Sequence, residues 1–180
     1  KLDKIYKLCQ KYNIILIEDV AEALGSLYKE KHVGNFGVIS TLSFNGNKII
    51  TTGGGGALLT NNKQLSIKMN HMINTSKISH PWEFFHNEVG FNYRMPNLNA
   101  ALGLAQIENI EYYLLNKRKL FKKYKKVFSN IAGLKLLDEP KFSKSNFWLQ
   151  TIILDTKLSN FRDLILEKTN SNVLMTRPGW

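Results

Sequence analysis

Apolar residues recur with a helical period from the first positions of the chain. Leu2, Ile5, Tyr6 and Cys9 stand three and four apart, which predicts a helix over Lys1–Lys11. The pattern then changes. Asn13–Ile17 (NIILI) is a short continuous apolar run ending on Glu18-Asp19, as expected of a buried parallel strand with acids at its carboxyl end. Ala21–Leu24 is short and small and leads into a turn at Gly25-Ser26. Val38–Phe44 (VISTLSF) predicts a second strand, Asn45–Lys48 a polar loop, and Ala57–Thr60 a third strand beyond the glycine run Gly53–Gly56. Gln64–Ile73 reads as a helix, whereas Thr75–Gly90 has no period and is expected to be a loop.

Beyond Pro96 a helical period resumes. It is expected to extend from Asn97 to Asn130 with a break near Asn116, and Ala100, Ala101, Gly103 and Ala105 suit close helix packing. Gly133–Leu137, Phe147–Leu154 and Val173–Met175 read as strands and Asn160–Thr169 as a helix. The succession is that of an α/β unit changing to a second, α+β unit near residue 130.

Composition narrows the class. The chain has 180 residues, 43% of them hydrophobic and 22% charged, ordinary for one soluble domain or one and a fraction. No apolar run approaches the roughly 20 residues needed to cross a bilayer, so no membrane partner is expected. The single cysteine, Cys9, admits no internal disulfide, and no metal-ligand spacing occurs. A reducing, cytoplasmic location and no metal are therefore expected, with Cys9 in the core. The net charge of +11 raises nucleic-acid binding as a possibility. Much of the excess falls in Lys117–Lys126 (KRKLFKKYKK), where Leu120, Phe121, Tyr124 and Val127 supply an apolar stripe. The lysines then read as the solvated face of an amphipathic helix, the other reading being a field for an anionic substrate or an acidic partner. No nucleic-acid partner is expected.

Three residues carry candidate chemistry. Asp19 and Ser43 stand at or near the carboxyl ends of predicted strands, where open α/β sheets gather ligands. Lys48 follows Ser43 in a tight polar loop directly ahead of the glycine run. Alone, Asp19 reads as a helix N-cap, Lys48 as a loop lysine, and the glycines as a flexible turn. Together they fit pyridoxal 5'-phosphate (PLP). That cofactor needs a lysine amine for its aldehyde, a carboxylate to keep its ring nitrogen protonated, and hydroxyl or amide donors for its phosphate.

The segment Ile17–Ser26 (IEDVAEALGS) resembles the aspartate motif of the DegT/DnrJ/EryC1/StrS family of PLP-dependent nucleotide-sugar aminotransferases. Thr41–Lys48 (TLSFNGNK) with Thr51–Gly56 (TTGGGG) resembles its lysine motif. Gly90–Pro96 (GFNYRMP), leading into Asn99–Gly103 (NAALG), resembles a third signature. The resemblance spans essentially the whole chain. It implies the C-terminal part of a fold type I (aspartate aminotransferase) large domain over residues 1–115, then a connecting helix and an incomplete small α+β domain over 116–180. The chain opens on Lys1 inside a helical pattern and stops at Trp180 without a terminating element, so a longer protein is expected, with an upstream half that stacks on the PLP ring and holds its phosphate.

The resemblance also implies roles. Lys48 forms the Schiff base with PLP and moves the proton; Asp19 pairs with the ring nitrogen; Glu22 lies beside the ring near its 3-hydroxyl, where the family often has Gln or His; Ser43 contacts the phosphate. Asn92 reaches the phosphate in the neighbouring subunit, which implies a homodimer with shared active sites. Lysine at 48 argues against the family's dehydratase branch, which has histidine there. The motif wording looks most like the branch acting on UDP-4-keto-6-deoxy-N-acetylhexosamines, with glutamate as amino donor, in amino-sugar biosynthesis for surface glycans. Arg94, Lys77 and His80 are candidate substrate contacts, as is Arg177, with ordinary salt bridges or interface packing as the plainer reading. An inactive or incomplete fragment needing a second chain, or acting only in assembly, is the alternative function.

Overall fold

The computed structural model describes residues 1–179; Trp180, the last residue of the expected second unit, lies outside them. Helix α1 spans Leu2–Lys11. Asp3, in its first turn, accepts a hydrogen bond from the Tyr28 hydroxyl and lies 3.2 Å from Lys29 Nζ, which ties the helix to the hairpin described below. Cys9 is half-buried rather than in the core. None of the residues of α1 is fully buried, because no other described element lies over its apolar face, and Cys9 borders an open groove with Tyr6, Ile15 and Phe36.

The first strand falls later than its apolar run. β1 is Ile17–Asp19, and Ile14 and Ile15 precede it 60% and 73% exposed. Asn13, at φ 52°, turns the chain out of α1. The ladder starts only where Val38 N–H donates to Leu16 O at 2.8 Å. That approach requires Gly37, since a Cβ there would stand 2.6 Å from Leu16 O.

A short hairpin that the residue pattern did not reveal follows, β2 (Leu27–Tyr28) with β3 (Lys31–His32). β4 (Ile39–Ser43) runs parallel to β1, with Asp19 opposite Thr41, and antiparallel to β5 (Gly56–Leu59), giving a sheet of order β1-β4-β5. Gly56 pairs with Ser43, where a side chain would meet Leu42 O at 2.3 Å.

α2 covers Lys63–Ile73, capped by Asn62, whose side chain accepts from the N–H groups of Gln64 and Leu65. The stretch expected to be a plain loop, Thr75–Gly90, is a folded arm closed by isolated bridges Asn74↔Asn92 and Lys77↔His86. The long helix is broken, but at Glu108–Asn109 rather than near Asn116. α3 is Asn97–Ile107 and α4 is Ile110–Phe128. Asn109 Nδ2 donates to Ala105 O at 2.9 Å, so its side chain competes with the helix ladder at that point.

The buried stripe of α4 differs from the expected one. Phe121 is buried against Leu136 and Phe147, with Phe128 beside them, while Leu120, Tyr124 and Val127 are exposed. Nor are all its cations solvated: Lys117 and Arg118 turn inward, as described below, and Lys125 pairs with Asp138. β6 (Leu134–Leu136) pairs antiparallel with β8 (Ile152–Leu154). Between them β7 (Ser143–Lys144) joins β2, adding a third strand to the hairpin.

The expected strand Phe147–Leu154 is thus only its last three residues. Ser145–Trp148 is a loop, because its polar groups are engaged by residues 22–47 and by α4 rather than by a ladder. A 3-10 turn, Thr156–Phe161, leads into α5 (Arg162–Ser171). Val173–Met175 is not a strand; no described segment pairs with it, and Val173 and Met175 are 93% and 95% exposed. Among the described residues no helix is long and apolar enough to cross a membrane, and no group of three or more His, Cys, Asp or Glu is placed to hold a metal.

Candidate active site

Parallel pairing of β1 with β4 brings their carboxyl ends to one edge of the sheet. There Asp19 Oδ1 accepts hydrogen bonds from Thr41 Oγ1 at 3.1 Å and from Ala21 N–H at 3.0 Å. Oδ2 takes none from the described residues. Thr41 and Ser43 are two apart on β4, so their side chains share a face of the sheet. Asp19, which bonds to Thr41, is on that face as well.

Just beyond β4 the chain makes a tight turn, with Lys48 N–H donating to Asn45 O at 3.1 Å. Residues 49–53 are then clamped from two sides. Thr52 N–H and Thr51 Oγ1 both donate to Phe44 O at 3.0 Å. From α3, Gln106 Oε1 accepts from Thr51 N–H at 2.9 Å and Asn99 Nδ2 donates to Thr52 O at 2.6 Å. Gly103 is what lets α3 come this close, since a Cβ there would lie 2.7 Å from Thr52 Cγ2. Ile50 and Thr52 are both 2% exposed, so the segment carrying Lys48 is rooted in packed structure.

The Lys48 side chain points into a small cleft bordered by Glu22, Ser43, Ile49 and Trp148. Its Nζ lies 3.1 Å from Glu22 Oε1 and 4.3 Å from the centre of the Trp148 ring, and only 13% of the side chain is exposed. An amine, a carboxylate and a hydroxyl thus converge on the sheet face that carries Asp19. The arrangement can hold a charged amine in a fixed place and present proton donors and acceptors around it.

The remaining candidates are elsewhere. Asn92 is exposed at the base of the folded arm and Arg94 is exposed just beyond it. Lys77 Nζ lies over the Phe84 ring at 3.9 Å. His80 Nδ1 accepts from the N–H groups of Trp82 and Glu83 at 3.3 and 2.9 Å, which fixes the arm's tip. None of these four lines the Lys48 cleft, and Arg177 is close to the end of the described chain.

Five residues to which sequence reasoning gave no specific role, Glu18, Asn146, Trp148, Lys117 and Arg118, organise the site. Glu18 is 7% exposed and accepts three backbone hydrogen bonds: Gly34 N–H at 2.8 Å on Oε1, and Phe36 and Gly37 N–H at 2.7 and 2.6 Å on Oε2. Asn146 donates through Nδ2 to Glu22 O at 2.8 Å and Leu24 O at 3.0 Å, and its Oδ1 accepts from Trp148 N–H at 2.9 Å. Trp148 donates through Nε1 to Asn47 O at 2.6 Å, while Lys117 Nζ donates to Trp148 O at 3.0 Å. Arg118 braces the same loop by a forked contact to Glu139 at 2.8 and 3.0 Å and a bond to Ser145 O at 2.7 Å. The Arg118 fork, aided by Ser145 N–H, holds the Glu139 carboxyl below the usual range. A polar Glu18 beside Asp19 was the one available signal: an acid inside an apolar strand must find donors.

The model of the DegT/DnrJ/EryC1/StrS aminotransferase family matches residues 1–179. EpsN of Bacillus subtilis (strain 168), named as a candidate pyridoxal phosphate-dependent aminotransferase, is 37% identical over 180 residues, covering 100% of this chain and 46% of that protein. GDP-perosamine synthase of Escherichia coli O157:H7 is 37% identical over 177 residues, covering 98% and 47%. A UDP-4-amino-4,6-dideoxy-N-acetyl-beta-L-altrosamine transaminase of Campylobacter jejuni (strain 81-176) is 35% identical over 158 residues, covering 86% and 41%. Among solved structures, Helicobacter pylori PseC, an aminotransferase involved in the biosynthesis of pseudoaminic acid, superposes with a TM-score of 0.90 at 29% identity, over 96% of this chain and 47% of that one. The chain spans about half the length of the curated relatives it matches.

Proposed function

Because the chain belongs to the DegT/DnrJ/EryC1/StrS aminotransferase family, we propose that it carries the lysine-bearing part of a PLP-dependent nucleotide-sugar aminotransferase site. The observation that carries this reading is the Lys48 amine, held 3.1 Å from Glu22 in a cleft that includes Ser43, on the sheet face of Asp19. The donor set fits PLP. Asp19 has one carboxylate oxygen engaged by Thr41 and Ala21 and the other unengaged by described residues, which suits a ring N–H. Ser43 Oγ accepts only a long 3.4 Å bond from Asn45 N–H, leaving its own proton for a phosphate oxygen.

When bound, PLP supplies an aldehyde for amines and a ring that draws electrons from the substrate carbon. This chain's own residues handle the amine and the proton. Lys48 gives the amine and carries a proton to and from the reacting carbon. Asp19 keeps a proton on the ring nitrogen, and Glu22 orients the Lys48 amine. Asn92 and Arg94 lie outside the cleft, and we assign them to the active site of a second subunit in a homodimer. Lys77 and His80, on the same arm, are assigned to substrate contact there.

The amino group is taken from glutamate and delivered to the 4-keto carbon of a UDP-linked 4-keto-6-deoxy-N-acetylhexosamine. Relatives named for UDP-linked and GDP-linked sugars stand at 35% and 37% identity, so parallel assays with both nucleotides decide between them. The residue assignment is tested on the PLP-loaded full chain by borohydride reduction, proteolysis and mass spectrometry. The cofactor mass is expected on the peptide containing Lys48. A tag on another lysine, or none, overturns the assignment.

A further inference from the structure

Trp148 meets the Lys48 turn both through its ring face and through its indole N–H. It is 8% exposed, its ring centre lies 4.3 Å from Lys48 Nζ, and its Nε1–H reaches Asn47 O, one residue before the lysine. The ring is itself fixed from both ends of its backbone: its N–H is held by Asn146 and its carbonyl by Lys117. Asn146 in turn holds the carbonyl of Glu22, the residue whose carboxylate meets the Lys48 amine. One loop from the C-terminal half therefore fixes the turn, the ring and the acid's backbone together.

We propose that Trp148 is a positioning residue for Lys48, its indole face holding the charged amine against Glu22. The proposal rests on the reading of Lys48 as the amine-bearing residue of the site. A lysine stem has four rotatable carbons, and a leucine in place of Trp148 would bury that stem without favouring its charged head. Indole is the aromatic face best suited to an ammonium, and the attraction acts on the charged form only. The amine is thus presented at one point rather than swept across the cleft.

The test is acylation of lysines in the full chain without cofactor, read by mass spectrometry at Lys48 with exposed Lys63 as internal reference. Only the uncharged amine reacts. Trp148→Leu is expected to raise the Lys48 rate about 2- to 30-fold near neutral pH, the range of a cation–π contact. The gain is expected to be smaller at about pH 11, where an ordinary lysine is already largely uncharged. A gain equal at both pH values means that the ring only shields the amine, and overturns the proposal; no gain does so too. Trp148→Phe keeps a ring with a weaker negative face and is expected to label at a rate between those of wild type and Trp148→Leu. If it behaves like Trp148→Leu, the Asn47 hydrogen bond acts instead of the ring face, which also overturns it. A fold-preserving check replaces tryptophan with multiply fluorinated tryptophan, which keeps shape and N–H but weakens the negative face. The Lys48 rate is expected to rise, and an unchanged rate overturns the proposal. No cofactor enters these measurements, so their failure is distinct from failure of the trapping experiment.

Discussion

Glu18→Gln is expected to destabilise the protein markedly for so small a change. The glutamate carboxylate takes three backbone N–H groups, and an amide can accept at only one of its two positions. If the amide oxygen keeps Phe36 and Gly37, the NH2 group faces the N–H of Gly34, donor against donor. One charge-assisted bond is then lost outright, worth about 1.5–3 kcal/mol, and the two that remain weaken to neutral strength. Relief from burying a charge offsets part of this, leaving a net cost of about 2–4 kcal/mol. The damage has a direction. The 34–37 loop packs back on β1, with Gly37 against Leu16 O, so its release should loosen the strand that ends in Asp19. Urea unfolding of wild type and variant gives the first quantity, and amide hydrogen exchange at Gly34, Phe36 and Gly37 gives the second. A stability loss under about 0.5 kcal/mol, or unchanged protection at those amides, would refute the bonding scheme.

Other expectations follow from the same contacts. Asn146→Ala removes three hydrogen bonds and is expected to cost about 2–4 kcal/mol by urea unfolding, whereas Asn146→Asp, which sets a carboxylate against two carbonyls, should cost at least as much. Gly103→Ala places a Cβ 2.7 Å from Thr52 Cγ2 and should cost about 1–3 kcal/mol despite the better helix propensity of alanine; a stabilised variant would show that α3 can retreat without consequence. Asp3 is held at a pKa of about 2, first by the Tyr28 hydroxyl and also by Lys29, below its ordinary 3.8. Its folded value is depressed, so its contribution to stability is present above about pH 3.8 and is lost as pH falls toward 2. Asp3→Asn should therefore be less stable than wild type at neutral pH and converge with it in strong acid, as read by denaturation at a series of pH values.

Local order was enough to locate most elements. The helical period over Lys1–Lys11 and the apolar strand Val38–Phe44 depend on residues a few positions apart, and the helix and the core of the strand form where that order says. The motif residues Asp19, Ser43 and Lys48 were visible for the same reason: each sits at a strand end or turn that its neighbours define. Register and burial were not visible. β1 begins at Ile17 because its pairing with β4 starts only after Gly37 and Val38 have met Leu16 O, and the buried face of α4 is the one that Phe147 and Leu136 happen to cover.

The sequence by itself determined the order of the main helices and of β1, β4 and β5, the family signatures, and the positions of an acid, a hydroxyl and an amine. Only the tertiary structure decided that the amine meets Glu22, 26 positions away, and that Asn146 reaches Glu22 across 124. Such contacts leave no periodic mark, because a hydrogen bond or an aromatic face constrains where two atoms meet in space and says nothing about how far apart they stand along the chain.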